Sequence, residues 1–354
     1  MKLVRHFRFR ALVLMASLCG TLGAIRALPQ QIPQSSVSPD PKADLANAAA
    51  ITDIRSPHSS AFLLAADVHF KLGKKSVDGK YGLSWAAPDM YHEVFVFPGF
   101  RQDVVVSGDK IYRKRTSDFL PLPVYEWQSL LSAPILRAPG EDTRVTMSSI
   151  PSEWKGRSDI SCVEWPLKQP NYDTRTPRPP SKVVDCFDRA RSYPVSIDSD
   201  DLTGHSSYRF SNYIPIGGQA FPAKITYEHN GGLTAEADVQ TLKPVQVFAA
   251  NEFTPPAGAI PETWCLNPKF STDTTFESGD NFSIVDSGSI ANSPIFVYMH
   301  INAKGQADEV GSLESTNPEA ANRFLNIAHR MAYPIATCGK IPISREGVLI
   351  VWPR

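Results

Sequence analysis

The chain has 354 residues and equal numbers of basic and acidic side chains, 36 Lys+Arg and 36 Asp+Glu, so its formal charge is zero. This balance lacks the basic excess typical of nucleic-acid binding, which excludes that class of partner. The length predicts two domains, and the 30 prolines favour short strands and long loops over a helical bundle.

The first 24 residues are predicted to be an export signal. Residues 2–10 are basic, residues 11–24 are apolar, and Leu22-Gly23-Ala24 offers a cleavage site. The apolar run is shorter than the ~20 residues that a membrane-spanning helix needs. We therefore expect a periplasmic or secreted protein, peripherally associated with a membrane at most, with a disordered leader over residues 25–43.

Four cysteines follow the predicted signal: Cys162, Cys186, Cys265 and Cys338. An even number in an exported chain indicates disulfides, and four cysteines allow three pairings. Sequence order favours Cys162–Cys186 and Cys265–Cys338. The chain has no Cys-x-x-Cys and no two of its histidines lie within ten residues of each other. The sequence thus predicts neither a metal site nor a cofactor.

Residues 62–131 carry the clearest pattern in the chain. Short runs rich in Val, Phe and Tyr are separated by Gly, Pro and Asp turns, as in an antiparallel meander. Apolar residues within 121–131 then follow helical spacing, which suits a helix lying across a sheet. A helix over residues 44–55 is predicted to precede the meander.

Inward-facing residues of this meander are candidates for lining a cavity that takes a hydrophobic ligand. They are Tyr81, Leu83, Trp85, Phe95 and Phe97. An ordinary packed core is the alternative, because alternation identifies a buried face but not the space behind it.

The middle of the chain predicts further antiparallel strands. Residues 161–165 and 182–187 form two strands around a proline-rich loop, and later strands cover 208–216, 223–228 and 233–242. The sequence Asn-Gly-Gly between the last two strands is a strong hairpin signal.

Three phrases, over residues 79–89, 105–112 and 222–239, resemble periplasmic lipoprotein carriers of the LolA/LolB type. The resemblance implies a strongly curved, incomplete antiparallel barrel whose helices cover a hydrophobic cavity for acyl chains. We therefore expect an α+β fold with a curved antiparallel β half-barrel and lid helices over residues 44–258. The same resemblance implies a lipid or an acylated ligand.

The end of the chain predicts a small β-β-α-β domain over residues 291–354, after a linker over 259–290. Asn317-Pro318-Glu319 is a strong helix start, since Asn serves as N-cap and Pro fits the first turn. The turn Asn302-Ala-Lys-Gly and the later Ala332-Tyr-Pro resemble the C-terminal domain of TonB proteins. That family pairs edge to edge with short segments of outer-membrane transporters, which implies an envelope partner bound by strand pairing.

Three functional hypotheses follow, and none includes a catalytic constellation that the sequence supports fully. The leading one is a non-enzymatic exported protein that binds a hydrophobic ligand and docks to an envelope partner. In the second, the chain is only a protein–protein interaction module and its first domain is a scaffold. The third is a dimeric aspartic protease that uses Asp286 of an Asp-Ser-Gly phrase, although a turn is favoured there.

Overall fold

The computed structural model describes residues 40–132, 135–136, 142–166, 182–201, 204–266, 268–270, 295–314 and 318–351. The export signal over residues 1–24, the leader as far as residue 39 and the protease phrase around Asp286 lie outside these ranges and stay predictions. Within the described ranges, no helix combines the length and the apolar composition needed to cross a bilayer.

The described chain contains three α-helices, one short 3-10 helix over Ser152–Trp154, and nineteen strands. The helices are α1 (Pro41–Thr52), α2 (Leu122–Leu131) and α3 (Pro318–Arg330). The strands are β1 (Phe62–Leu72), β2 (Lys75–Ala87), β3 (Met90–Phe97), β4 (Phe100–Ser107), β5 (Lys110–Arg115), β6 (Thr146–Met147), β7 (Ile160–Pro166), β8 (Lys182–Asp188), β9 (Pro194–Asp201), β10 (Gly204–Ile216), β11 (Gln219–His229), β12 (Leu233–Pro244), β13 (Ile260–Thr263), β14 (Lys269–Phe270), β15 (Ile295–Ile301), β16 (Ala307–Glu314), β17 (Ala336–Cys338), β18 (Ile341–Ile343) and β19 (Arg345–Val351).

One antiparallel sheet of 13 strands forms most of the structure, in the order β13-β5-β4-β3-β2-β1-β12-β11-β10-β9-β8-β7-β6. Strands β1 to β5 pair in chain order, which confirms the predicted meander. β1 also pairs along its whole length with β12, from Phe62 opposite Pro244 to Leu72 opposite Leu233. In the described part the sheet is open, with β13 and β6 at its two edges.

Helix α1 begins at Pro41 and not at Asp44, where the sequence pattern predicted it. The carboxylate of Asp40 accepts a hydrogen bond from the Lys42 amide at 2.9 Å, and Pro41 occupies the first turn. Both features favour a helix start at this point, so the helix takes up the end of the predicted leader. The helix ends at Thr52, which leaves Arg55 outside it.

Both α1 and α2 pack against the same face of the large sheet, which we call the inner face. Alternate residues of β1 point to this face and are buried, among them Phe62, Leu64 and Phe70. Strand register continues the face across the sheet, since Ala66 lies opposite Tyr81 and Tyr81 opposite Phe95. The inner face and α2 form the main hydrophobic core, whereas Leu45 and Ala48 of α1 belong to a smaller core with Val163 and Phe187.

The C-terminal part of the chain forms a three-stranded sheet, β16-β15-β19, with α3 packed against it. The order β15, β16, α3, β19 follows the expected β-β-α-β order, with β17 and β18 added before the last strand. β15 is buried on both faces: Val297 and Met299 join a small core with α3, whereas Phe296 and Tyr298 belong to the main core. The inner face of the large sheet is thus covered partly by this C-terminal sheet.

Two disulfides, Cys162–Cys186 and Cys265–Cys338, are present and follow the pairing that sequence order favours. The first joins directly opposite residues of the β7–β8 hairpin. The second joins Cys265, which follows β13, to Cys338 at the end of β17, next to the C-terminal sheet. Both serve as covalent links between elements that are also hydrogen-bonded or packed together.

Removing either disulfide should destabilise the protein, and the larger loss should come from Cys265–Cys338. Its cysteines are 73 residues apart, against 24 for Cys162–Cys186. Closing the longer loop removes more entropy from the unfolded chain, so we expect losses of about 4 and about 3 kcal/mol. Urea unfolding of the two Cys→Ala double variants measures both values. A larger loss for the hairpin disulfide would contradict the loop-entropy explanation.

Candidate functional site

The structure places all five predicted lining residues on or beside the inner face. Tyr81, Leu83, Trp85 and Phe95 are at most 3% exposed, and Phe97 is half-buried. The rings contact one another, with 4.8 Å between the centroids of Tyr81 and Phe95. Further contacts at 6.2 and 5.6 Å join Trp85 to the rings of β1 and β3. Side chains cover these rings in this structure.

Helix α2 provides part of that cover through Trp127, which is fully buried. Its indole N–H donates to the His69 carbonyl at 3.0 Å, and its ring meets the edge of Phe97 at 5.9 Å. Gly79 lies directly below: a Cβ there would approach Trp127 to 3.0 Å and the Val96 carbonyl to 2.8 Å. The absence of a side chain at Gly79 therefore allows α2 to lie close to the sheet.

A buried polar cluster joins both helices to the inner face. The Arg55 guanidinium, just after α1, donates to the hydroxyl of Tyr81 and lies 3.4 Å from the Glu93 carboxylate. It also donates to the carbonyl of Ser132 at the end of α2, at 3.2 Å. The Ser132 hydroxyl and the Tyr81 hydroxyl both donate to Glu93. We call these four residues the Arg55 cluster.

The charged groups of the Arg55 cluster are Arg55 and Glu93. Burial raises the pKa of Tyr81 well above its ordinary value, so that hydroxyl keeps its proton and acts as a donor. Arg55 also lies 5.8 Å from the centre of the Trp85 ring, within reach of a cation–π interaction. The cluster is therefore a compact, hydrogen-bonded ion pair enclosed by aromatic rings.

Two further polar side chains on the inner face have no hydrogen-bond partner among the described residues. The first is Trp85, whose Nε1 is unpaired, and the second is Gln102 on β4, whose two amide atoms are both unpaired. Gln102 is only 1% exposed and lies between Phe95 and Arg115 in the strand register. An unpaired buried polar group costs about 1–3 kcal/mol, so these atoms call for an explanation.

Two buried carboxyl groups also face this side of the sheet. Burial raises the pKa of Glu126 on α2 to about 8. Burial likewise raises the pKa of Asp185 on β8 to about 7, although the Trp165 indole N–H donates to it at 2.6 Å. Both carboxyl groups are protonated under mildly acidic conditions. They lose the proton in alkali, where the folded protein then carries a buried negative charge at a cost in free energy.

A second polar cluster lies where the C-terminal sheet meets β5. The Glu346 carboxylate hydrogen-bonds with Arg115, lies 3.7 Å from Arg113 Nε, and accepts from the Tyr298 hydroxyl at 2.7 Å. Glu262 pairs with Arg113 at 2.9 Å. Burial opposes ionisation of Glu346, but the two arginines outweigh it and its pKa lies below the ordinary value. We call these residues the Arg113–Arg115 cluster.

Sequence reasoning missed the polar residues of the inner face, although alternation carried a signal. Glu93 stands between Tyr91 and Phe95 at the spacing of inward positions, and Gln102 stands likewise before Val104. A polar residue in an otherwise apolar alternating series indicates a buried polar contact. Arg55 and Ser132 carried no such signal, because both lie just beyond helix ends.

A shallow open groove of about 610 Å³ lies at the hairpin end of β1 and β2. Its polar side chains are already in contact with one another, as Lys80 with Asp67 at 2.8 Å and His69 with Asp78 at 2.6 Å. No group of three or more His, Cys, Asp or Glu side chains with metal-binding geometry occurs among the described residues. The inner face is therefore the candidate functional site.

Comparison with known proteins gives structural likenesses only. No family model matches the chain, and no curated protein matches it. A LolA superfamily protein from Nitrosomonas europaea has 15% identity and a TM-score of 0.37, over 61% of this chain and 98% of that one. An outer membrane lipoprotein-sorting protein domain from Vibrio parahaemolyticus has 13% identity and a TM-score of 0.36, over 61% and 97%.

A DUF1329 family protein from Desulfovibrio piger is also similar, with 14% identity and a TM-score of 0.36 over 60% of this chain and 97% of that one. All three likenesses end well short of the full chain. The function proposed below therefore rests on contacts within this chain.

Proposed function

We propose that the inner face binds the apolar chain of a lipid or an acylated ligand, without catalysis. The observation that carries this proposal is the row of aromatic rings on β2 and β3, which is covered by α2 and by the segment that follows α1. A single polar cluster, centred on Arg55, joins the ends of both helices to this row. Breaking the contacts of Arg55 would release the ends of both helices from the sheet.

Energy for such a separation comes from burial of the ligand itself. Each methylene group transferred from water to an apolar surface contributes ~0.8 kcal/mol, so a long acyl chain gains enough to replace the packing of a short helix. α2 has only ten residues, and its Leu122, Trp127 and Leu130 side chains occupy the core that a ligand chain would enter. The closed structure is then the ligand-free member of a pair of states.

Binding is tested by displacement of a fluorescent fatty acid from the full exported chain, using competitors of increasing chain length. We expect affinity to rise with each added pair of methylene groups and then to level off at the length of the site. Native mass spectrometry after gentle purification checks whether a ligand is retained. Failure of every competitor to displace the probe, together with a ligand-free mass, would reject the proposal.

Replacing Gln102 by leucine should stabilise the protein and weaken ligand binding. Leucine removes an unpaired buried amide, so the free energy of unfolding should rise by about 1–2 kcal/mol. Loss of a hydrogen-bonding group for the polar end of a ligand should lower affinity by about tenfold. Chemical unfolding and probe displacement measure the two effects.

Gln240 on β12 offers a matched control because it is exposed. Gln240→Leu makes the same chemical change outside the inner face and should alter neither quantity beyond about 0.5 kcal/mol. A Gln102→Leu protein that binds ligand as tightly as the original would show that the amide does not contact the ligand.

A second candidate function is docking to an envelope protein by strand pairing, as the resemblance to TonB domains implies. It is supported by the edge strands of the C-terminal sheet, since β16 and β19 each pair only with β15 among the described strands. A photo-cross-linker at the exposed Glu309 of β16 should capture a partner in intact cells. The same probe at Glu236 of β12 serves as control, and equal capture by both would count against docking through this edge.

A further inference from the structure

The β5 end of the inner face is charged, in contrast to the apolar rows beside it. Strand register puts Arg113 opposite Val104 and Arg115 opposite Gln102. Val104 belongs to the main core, so both arginines point to the inner face and not to the outside of the sheet. Their side chains are only 22% and 11% exposed. Two guanidinium groups are thus held at one end of an apolar surface.

The negative charge that balances Arg115 comes from the C-terminal sheet, whereas Arg113 is balanced both by this sheet and by Glu262 of β13 at 2.9 Å. Glu346 of β19 reaches both arginines, and Tyr298 of β15 donates a hydrogen bond to the same carboxylate at 2.7 Å. A carboxylate between two guanidinium groups and a phenol has the contacts that a bound anionic head group would have. Glu346 is therefore an internal counterpart of such a ligand.

Gln102 supplies an independent observation at the same place. Its amide lies next to Arg115 in the register, is 99% buried, and has no hydrogen-bond partner among the described residues. An amide beside a guanidinium group adds both a donor and an acceptor for a ligand that carries oxygen atoms. Glu346 and Glu262 satisfy the arginines, but the Gln102 amide remains unpaired among the described residues.

We infer that Arg113, Arg115 and Gln102 form a head-group site for an anionic amphiphile, and that Glu346 occupies this site when no ligand is bound. The inference rests on the proposed function: the ligand's apolar chain lies along the inner face, and its anionic group displaces the Glu346 carboxylate. The C-terminal sheet then acts as a competitor built into the chain, and moves aside on binding.

An amphiphile fits this site better than a small free anion. Arg115 is nearly enclosed, and an anion that enters without an apolar chain meets the full cost of desolvation with no compensating apolar burial. Val104 of the main core lies opposite Arg113 in the strand register, so a chain attached to the anion has an apolar surface to follow. Carboxylate and phosphate head groups share the required chemistry.

The test compares three ligands of equal chain length on the full chain: hexadecanoate, hexadecanol and hexadecyltrimethylammonium. We expect hexadecanoate to bind most tightly. In Glu346→Gln, which removes the competing charge and keeps the side-chain shape, affinity for hexadecanoate should rise by about tenfold. In Arg115→Met it should fall by a similar factor, and the preference for an anion should shrink. Glu309→Gln, at an exposed position of β16 in the same sheet, makes the same chemical change away from the arginines; it is the control and should change nothing.

Each outcome decides between explanations. Equal affinity for the three ligands, unchanged in Glu346→Gln, overturns the head-group site while leaving the apolar binding face intact. Inorganic phosphate alone binding as tightly as hexadecanoate overturns the amphiphile and assigns the arginines to a free anion. No binding of any chain to either protein rejects both the proposed function and this inference. The expected result for Glu346→Gln is a gain of affinity, whereas misfolding would lower affinity. Misfolding therefore cannot produce the expected result.

Discussion

Replacing Glu126 by glutamine is expected to stabilise the protein by several kcal/mol at pH 9 and to leave its stability unchanged at pH 4. Burial raises the pKa of the Glu126 carboxyl from its ordinary value of 4.5 to about 8. The folded protein therefore holds this proton over a range of pH in which the unfolded chain has lost it. Glutamine is neutral throughout and avoids the cost of burying a charge.

The sign of the effect follows from proton linkage. Below pH 4.5 both states are protonated and the carboxyl contributes nothing; between about pH 4.5 and 8 the folded state binds more protons, so stability falls as pH rises. Above pH 8 the full penalty is present, at most about 5 kcal/mol at 1.36 kcal/mol per pKa unit. Relaxation around the charged side chain reduces this upper value.

Chemical unfolding at pH 4, 6.5 and 9 measures the effect. Asp185, with its pKa raised to about 7, adds a similar fall in stability, so part of this fall remains in Glu126→Gln and is reduced further by adding Asp185→Asn. Glu228→Gln, at an exposed position on β11, is the control and should show no pH-dependent difference. A Glu126→Gln protein with the same pH profile as the original would show that Glu126 is hydrated in solution.

The second large effect is expected from Arg55. Arg55→Met should destabilise the protein by about 3–5 kcal/mol, because it leaves the Glu93 carboxylate buried without its counter-ion. The variant should also loosen both helices, since Arg55 contacts the Ser132 carbonyl at the end of α2 and itself follows α1. Urea unfolding gives the first result, and amide hydrogen exchange of residues 41–52 and 122–131 gives the second.

A double-mutant cycle separates the ion pair from packing. Arg55→Met combined with Glu93→Gln removes both charges, so the combined loss should be smaller than the sum of the single losses. The exposed pair of Lys80 and Asp67, 2.8 Å apart, is the reference and should show a coupling below about 1 kcal/mol. Strictly additive losses at Arg55 and Glu93 would mean that the two side chains do not act as a pair.

The meander was predictable because each of its signals is local. Turn residues at Gly73, Pro98-Gly99 and Gly108 separate apolar runs, and the alternation within each run sets its buried face. The structure has strands at these runs and turns between them. The Cys162–Cys186 disulfide follows sequence order for the same reason, since its cysteines face each other across one hairpin. Such features need only neighbouring residues for their explanation.

The candidate site was less predictable, because its residues meet only in three dimensions. Arg55, Glu93 and Ser132 come from a loop, a strand and a helix end, and no spacing in the sequence links them. The C-terminal segment was expected to be a separate docking unit by its β-β-α-β order. Its strand β15 shares Phe296 and Tyr298 with the main core, a contact between segments that lie far apart in the sequence.

The pairing of β1 with β12 has a consequence for how the chain folds. β1 holds a central place in the sheet, yet its second neighbour is β12, so all of β2 to β11 lies between these partners in the sequence. Non-local pairing of this kind slows folding, since a long loop must close before the contact forms. During synthesis the early hairpins therefore carry an unpaired apolar edge until the twelfth strand is available, and the protein is most prone to aggregate in this interval.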